Sequence, residues 1–203
     1  MEATTVVNKL ADSARTAART LIAASASDRS TIVNQIADAL EANASRILAA
    51  NESDLSRAKE SGMQSSMVDR LLLTEGRIKG MADGARQVAS LPDPLNKVIN
   101  ERTIPNGLHL KQVSVPFGVV GMVYEARPNV TVDAAAILLK SGNAALLRGS
   151  SSAASSNAVL IEIMREVLAK SSISPDVIQN VPSEDRSTVA ALLHARGKVD
   201  LVI

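Results

Sequence analysis

Residues 113–157 limit the possible folds more than any other part of the sequence. Residues 118–124 form an apolar run without alternation, which is typical of a strand buried on both faces. Residues 130–139 are apolar nearly all round, which predicts a buried helix, and Gly142 follows as a helix stop. Residues 144–147 form a second short apolar run. The stretch therefore predicts a βαβ unit of a parallel sheet.

A cationic, hydroxyl-rich segment follows the second predicted strand. It consists of Arg148, Gly149, Ser150 and Ser151, and it opens the next predicted helix. Open α/β sheets bind their ligands at the carboxyl ends of the strands. The amide groups at a helix start also suit an anion. The sequence thus predicts a ligand site in this segment, although an ordinary Ser-capped helix is the alternative. No G-x-G-x-x-G fingerprint is present.

The N-terminal half is predicted to be helical, because apolar residues recur at helical spacing over residues 5–92. We expect these segments to serve packing rather than chemistry. The predicted elements are a helix with an apolar stripe over 7–21, a second helix capped by Ser27 or Asp28 and reaching residue 48, a short polar helix over 51–59, a turn over 67–73, and a helix capped by Thr74 that stops at Pro92.

A β-hairpin is predicted next, since Asn106-Gly107 lies between alternating runs at 98–104 and 108–113. A lone hairpin is only marginally stable, which favours a partner; a solvated two-stranded flap is the alternative. After the central unit we expect a helix over 156–169, a strand over 177–181, a helix capped by Ser183 and a final strand over 199–203.

Composition excludes several classes of function. The net charge of +1, with one Tyr, one Phe and no Trp, argues against nucleic acid and anionic membranes as partners. The absence of Cys excludes disulfides, thiolate metal sites and a Cys nucleophile within this chain. His109 and His194 lack ligand spacing, so no metal site is predicted. Without a membrane span or a secretory signal, a cytoplasmic location is the expectation.

The central residues also carry a family resemblance. Y-E-A-R-P-N-V-T-V-D, followed by L-K-S-G-N-A-A-L-L-R-G, resembles the gamma-glutamyl phosphate reductases, or glutamate-5-semialdehyde dehydrogenases, of the aldehyde dehydrogenase superfamily. The resemblance implies an α/β, aldehyde-dehydrogenase-like fold. It implies a helical segment over 1–97, an oligomerisation hairpin over 98–115 and an incomplete, Rossmann-like NADPH-binding domain over 116–203. We therefore interpret the chain as an N-terminal fragment that ends before the catalytic domain.

The resemblance also implies an activity. Members reduce L-glutamate 5-phosphate to L-glutamate 5-semialdehyde and phosphate with NADPH, the second step of proline biosynthesis from glutamate. A Cys thiolate is the family's nucleophile, and this chain has no Cys, so we expect the chain alone to be inactive. The implied partners are the substrate L-glutamate 5-phosphate, further copies of the chain bound through the hairpin, and a glutamate kinase.

Three groups of site residues are implied by the resemblance. Asn129 matches the family's oxyanion donor, with a helix cap as the alternative. Arg127 would bind the substrate's phosphate, with an ion pair to Glu125 or Asp133 as the alternative. The segment at Arg148, Gly149, Ser150 and Ser151 matches the family's cofactor contacts. Ser151 replaces a Glu of other superfamily members, and Arg148 is a bidentate phosphate ligand, which together favour NADPH over NADH.

Two other functions stay open. One is a non-catalytic module for nucleotide binding or oligomerisation through the hairpin. The other is a fragment of a generic aldehyde dehydrogenase. The tripeptide Arg-Pro-Asn at 127–129, where that group has Pro-Trp-Asn, argues against the latter, as does Arg148.

Overall fold

The computed structural model describes residues 2–203. The first half is helical, as predicted, and it consists of α1 (Ala3–Ala23), α2 (Ala26–Ala42), α3 (Ala44–Glu60), α4 (Ser65–Leu71) and α5 (Glu75–Ser90). The predicted stripe of α1 is buried, including Val7, Ala14 and Leu21. Thr74 caps α5 as expected, because its hydroxyl accepts a hydrogen bond from the Arg77 N–H.

Three boundaries in this half differ from the prediction. The cap of α2 is Ser25, whose hydroxyl accepts from the Asp28 N–H in a capping box, rather than Ser27 or Asp28. The predicted long second helix breaks at Asn43, where the side chain bonds the Ala39 carbonyl and competes with the helix ladder. The polar segment over 51–59 therefore belongs to α3. The predicted turn over 67–73 is largely α4.

The hairpin is confirmed. Strands β1 (Val98–Thr103) and β2 (His109–Val113) pair antiparallel, with Thr103 opposite His109. Gly107 lies in the turn with φ +88°, a left-handed conformation that glycine adopts without strain. Both strands are exposed along their whole length, and they form a two-stranded sheet separate from the main one.

The central βαβ unit is also confirmed, as β3 (Val119–Val123), α6 (Pro128–Lys140) and β4 (Ala144–Arg148). These strands belong to a four-stranded parallel sheet of order β5-β4-β3-β6. The remaining elements are α7 (Ala154–Leu168), β5 (Ile178–Asn180), α8 (Ser187–His194) and β6 (Leu201–Val202), with short 3-10 turns at Ser151–Ala153 and Pro175–Val177.

The start of α8 corrects one prediction. The helix begins at Ser187 and not after Ser183. Residues 183–186 form an irregular loop instead, because the Ser183 carbonyl accepts a hydrogen bond from Arg148 and the Asp185 carboxylate binds the Ser187 N–H at 2.8 Å. This loop binds the Arg148 side chain.

One hydrophobic core joins the helical half to the sheet. It contains the buried faces of α1, α2 and α5 together with β3, β4, α6 and α7. Helix α1 lies against β4, and α5 lies against α6. The first turn of α6, which follows β3, is therefore flanked by the helical half of the chain. The boundaries at residues 97 and 115 stay predictions.

Candidate active site

The carboxyl ends of β3 and β4 lie side by side at one edge of the sheet. Val123 pairs with Arg148 in the parallel register, and the Tyr124 N–H donates to the Arg148 carbonyl at 3.1 Å. The loops that follow the two strands therefore begin as neighbours. Each carries one group of the predicted site residues: the first has Arg127 and Asn129, and the second has residues 148–151.

The first group lies at the start of α6. Pro128 occupies the first helical position, which suits proline because its missing N–H needs no partner there. Arg127 is the residue before the helix, in an extended conformation. Asn129 is thus inside the first turn and is not the cap that the alternative interpretation supposed. Its side chain is exposed.

The Asn129 carboxamide is oriented by its own helix. Its Nδ2 donates to Oδ2 of Asp133, one turn further on, at 3.3 Å. Burial raises the pKa of the Asp133 carboxyl, and the hydrogen bond from Asn129 acts in the opposite direction. An amide nitrogen carries two hydrogens, so one N–H of Asn129 stays available for a second acceptor.

Arg127 is exposed and uncommitted. Within residues 2–203 its side chain makes no hydrogen bond and no salt bridge, so neither predicted ion pair is formed. Glu125 faces Arg70 at 3.7 Å instead, and Asp133 accepts from Asn129. A guanidinium without an internal partner is free to bind an anionic ligand.

Both side chains line a cleft of about 550 Å³ between α6 and the α4–α5 region. The lining comes from three helices and their connections: Asp69, Arg70, Leu72, Leu73, Gly76, Arg77, Gly80, Met81, Arg127, Asn129 and Asp133. Arg77 is already engaged, because it donates to the Leu72 carbonyl at 2.7 Å and to the Asp69 carboxylate at 3.0 Å. The cleft therefore combines positive charge with one partly buried carboxylate, Asp133.

Sequence reasoning missed the α4–α5 wall of this cleft. Residues 67–92 were interpreted as a turn and a packing helix. One signal was present: Gly76, Gly80 and Gly84 follow each other at one-turn spacing inside α5. A glycine inside a helix costs about 1 kcal/mol relative to alanine. A Cβ on Gly80 would meet no atom within 4 Å, so this face of α5 is open to the cleft.

In the second group, residues 148–151, Arg148 is fixed by hydrogen bonds inside the protein. The Arg148 side chain is buried, and its guanidinium donates to the carbonyls of Ser183 at 3.0 Å, Gly149 at 3.2 Å and Asp185 at 3.4 Å. Its Nε lies 3.4 Å from the Thr188 hydroxyl. Arg148 thus ties β4 to the loop before α8. Its predicted contact with a cofactor phosphate stays a prediction.

Gly149 is tightly enclosed by neighbouring side chains. A Cβ there would overlap the Asn157 carboxamide and would lie 3.1 Å from the Tyr124 ring. Below it, Tyr124 donates to Thr131 at 2.7 Å and Thr131 donates to Asn157 at 2.8 Å. Burial raises the pKa of Tyr124 to about 12, against the effect of the Thr131 hydrogen bond, so the phenol keeps its proton near neutral pH.

The start of α7 already holds an anion, namely Asp54 of α3. The buried Asp54 carboxylate accepts from the Ser155 N–H at 3.1 Å, the Ser156 N–H at 2.8 Å and the Ser156 hydroxyl at 2.6 Å. The amides of Ser155 and Ser156 are therefore occupied. The predicted ligand contacts of residues 148–151 stay predictions. Ser150 and Ser151 precede them, and Ser151 is exposed.

The sequence model of the aldehyde dehydrogenase family matches residues 2–203 of this chain. The chain belongs to the aldehyde dehydrogenase family. Within residues 2–203, no helix is long and apolar enough to cross a membrane, and no cluster of three or more His, Cys, Asp or Glu side chains is placed to hold a metal ion.

Within the family, the chain is most usefully compared with gamma-glutamyl phosphate reductases. That of Thermobifida fusca is 52% identical over 149 residues, which are 73% of this chain and 36% of that protein. The crystal structure of the Thermotoga maritima enzyme matches with a TM-score of 0.94 at 36% identity, over 97% of this chain and 48% of that chain. The Saccharomyces cerevisiae enzyme matches with a TM-score of 0.86 at 33% identity, over 96% and 49%.

The chain thus spans about half the length of the two solved reductases and matches 36% of the Thermobifida fusca protein. A probable aldehyde dehydrogenase of Listeria monocytogenes, 17% identical with a TM-score of 0.76, shares the fold. The predicted aldehyde-dehydrogenase-like architecture and the resemblance to gamma-glutamyl phosphate reductases are thereby confirmed.

Proposed function

We propose that this chain forms the cofactor-binding half of an enzyme that reduces L-glutamate 5-phosphate to L-glutamate 5-semialdehyde and phosphate with NADPH, in proline biosynthesis. The observation that carries the proposal is the pair Arg127 and Asn129, two exposed side chains that share one cleft at the start of α6. The names of the relatives that match at 33–52% identity support the substrate.

In this reaction the substrate's carbonyl oxygen gains negative charge when a nucleophile attacks. The free N–H of Asn129 donates to that oxygen, and a neutral donor stabilises the charge without giving up its proton. The C–O bond to phosphate then breaks, and Arg127 binds the departing phosphate through charge-assisted hydrogen bonds. The nucleophile is a thiolate from outside these 203 residues, since this chain has no Cys.

A bound nicotinamide cofactor would supply the hydride that converts the thioester's acyl group into an aldehyde and releases the thiolate. The segment after β4 fits such a group in two respects. The exposed Ser151 offers a hydroxyl where a Glu would repel a 2′-phosphate, and Arg148, three residues earlier, is a buried positive charge. Gly149 keeps the backbone close to Tyr124 and Asn157. Ser150 and Ser151 would make the direct contacts, and Arg148 would favour NADPH by its charge.

Self-association through the hairpin is part of the same proposal. Its exposed large apolar side chains are Val98, Ile99, Leu108, Leu110 and Val113. A two-stranded hairpin with such surfaces gains stability when a further chain covers it. A glutamate kinase is the proposed supplier of the acyl phosphate, because acyl phosphates hydrolyse in water. A cytoplasmic location is part of the same proposal.

The proposal is tested in a full-length protein that carries this chain. We expect oxidation of NADPH, followed by its absorbance, only when glutamyl phosphate is present. In the reverse direction, Arg127→Ala should raise the KM for phosphate roughly ten- to hundredfold, the effect of one charge-assisted contact.

Arg19→Ala is the matched control, since Arg19 is an exposed arginine on α1 outside the cleft. An unchanged KM for phosphate in the Arg127 variant would remove Arg127 from the substrate site. The 203-residue chain by itself should not oxidise NADPH, because it has no thiol; substrate-dependent oxidation by it would contradict the proposed mechanism.

A further inference from the structure

A third polar group in the cleft has no role in the mechanism above. Asp133 lies one turn after Asn129 on α6 and is partly buried. Its Oδ2 accepts from Asn129, and within residues 2–203 no Lys or Arg side chain forms a salt bridge with it. The other carboxylate of the cleft, Asp69, is exposed and already pairs with Arg77 at 3.0 Å.

A partly buried carboxylate without a cation is unfavourable unless something compensates it. The raised pKa of Asp133 reflects this cost, since burial disfavours the ionised form. A cationic ligand group in the cleft would restore the balance. The two arginines of the α4–α5 wall face other groups. Arg77 is bound to Asp69 and to backbone carbonyls, and Arg70 lies 3.7 Å from Glu125.

We propose that Asp133 binds the α-ammonium group of an amino-acid substrate and thereby selects an aminated acyl chain over an unaminated one. The assignment rests on the proposed function, and it concerns the specificity of that site. It makes Asp133 a specificity-determining residue beside the oxyanion donor.

The dimensions of a glutamyl group agree with this assignment. Its amino nitrogen and its reacting carbonyl carbon are joined by four single bonds of about 1.5 Å each, so the extended chain spans about 5 Å. Asn129 Nδ2 and Asp133 Oδ2 are 3.3 Å apart. A hydrogen bond adds about 2.8 Å at each end. A substrate whose carbonyl oxygen contacts Asn129 can therefore bring its ammonium group to Asp133.

The α5 wall provides room for the substrate chain. Gly80 faces the cleft with no atom within 4 Å of an added Cβ, and a Cβ on Gly84 would lie 3.7 Å from Asp133 Oδ1. Larger side chains at these two positions would fill the space beside the carboxylate. The glycines thus keep Asp133 accessible from the cleft.

The test compares two aldehydes that differ only in the amino group, L-glutamate 5-semialdehyde and 5-oxopentanoate. Both are oxidised in the reverse direction by the full-length protein with phosphate and NADP⁺, and the ratio of their kcat/KM values is measured. We expect Asp133→Asn to lower the preference for the aminated substrate ten- to hundredfold, which is the effect of one charged hydrogen bond. Asp133→Glu, which keeps the charge, should retain part of the preference.

Asp69→Asn is the control, because it removes a carboxylate from the same cleft and should leave the ratio unchanged. Circular dichroism melting checks that each variant folds. An equal loss for both aldehydes in Asp133→Asn would show that Asp133 only orients Asn129, and it would overturn the assignment. A wild-type protein inactive on both aldehydes would overturn the proposed function, and the assignment with it.

Discussion

The segments that follow β3 and β4 leave the sheet beside each other. Their polar side chains differ in whether they have hydrogen-bond partners inside the protein. At the end of β4, Arg148 binds backbone carbonyls, and beyond the following loop Asp54 binds the amides at the start of α7. In the loop after β3, Arg127 is exposed and Asn129 uses its side chain only towards Asp133. Buried polar groups must find partners inside the protein. Exposed groups that have none are the better candidates for a ligand.

This contrast separates residues that stabilise the fold from residues that are available to a ligand. Substitutions of Arg148 or Asp54 should act first on stability, because they remove internal hydrogen bonds. Substitutions in the loop after β3 should act on turnover, because few internal contacts are lost there. Four predictions follow from the contrast, and each is to be measured in a full-length protein that carries these residues.

The largest effect is expected for Asn129→Ala. Loss of the proposed oxyanion donor should lower kcat by about a hundredfold or more. The melting temperature and the affinity for the cofactor should change little, since the side chain is exposed and has one internal hydrogen bond at 3.3 Å. Steady-state kinetics and thermal melting provide both measurements. Turnover near the wild-type value would exclude Asn129 as the oxyanion donor.

The next effect concerns Asp54 and is purely structural. Asp54→Ala should lower the free energy of unfolding by about 3 kcal/mol, because it leaves the half-buried amide of Ser155 and the buried amide and hydroxyl of Ser156 without an acceptor. Arg57→Ala is the control: it removes the half-exposed cation beside the same carboxylate and should cost less, because the hydrogen bonds from Ser155 and Ser156 to Asp54 remain. Urea unfolding compares the two. Equal losses would mean that the salt bridge, and not the cap of α7, is what matters.

A smaller effect is expected at Arg148, where both roles can be measured. Arg148→Ala should reduce stability by about 2 kcal/mol, because the Ser183 carbonyl loses its donor. If its charge also favours the 2′-phosphate, Arg148→Glu should weaken the binding of NADPH roughly ten- to hundredfold more than that of NADH. Equal weakening of both cofactors, together with lower stability, would restrict Arg148 to the framework.

The smallest effect is the pH dependence that Asp133 contributes. Burial raises its pKa in the folded protein above the ordinary value of 3.8. The unfolded chain therefore releases this proton first, and stability falls as pH rises from below 3.8 through the higher folded pKa. Asp133→Asn removes this dependence and should gain stability over the wild type at neutral pH, by less than about 1 kcal/mol. Urea unfolding at acid and neutral pH would show the difference; a gain confined to acid pH would contradict it.

The order of the elements in the α/β part could be predicted from the sequence. The unbroken apolar runs before Tyr124 and before Arg148 become β3 and β4, and Asn106-Gly107 becomes the hairpin turn. These signals are local, since they depend on burial of a whole segment or on turn geometry. The break at Asn43 and the late start of α8 were not predicted. Each depends on one hydrogen bond between a side chain and the nearby backbone, from Asn43 to Ala39 and from Ser187 to Asp185.

The candidate site was predictable only in part. Arg127 and Asn129 adjoin a strand end and stand out in the sequence, and the structure places both in one cleft. Asp133 reads as part of an apolar helix, and Arg70 and Arg77 lie more than fifty residues earlier in the chain. Only the packing of α5 against α6 brings these segments together.

Local sequence signals predict the βαβ unit, the hairpin and the positions of the polar loops, because apolar patterning and turn residues act over a few neighbouring residues. Long-range packing determines which polar side chains have partners inside the protein and which stay open to a ligand. Asp54 reaches across about one hundred residues to the start of α7, and Arg148 turns towards residues 183–185, whereas Arg127 meets no such partner. The physical reason is that a hydrogen bond between distant segments exists only after the core has brought them together.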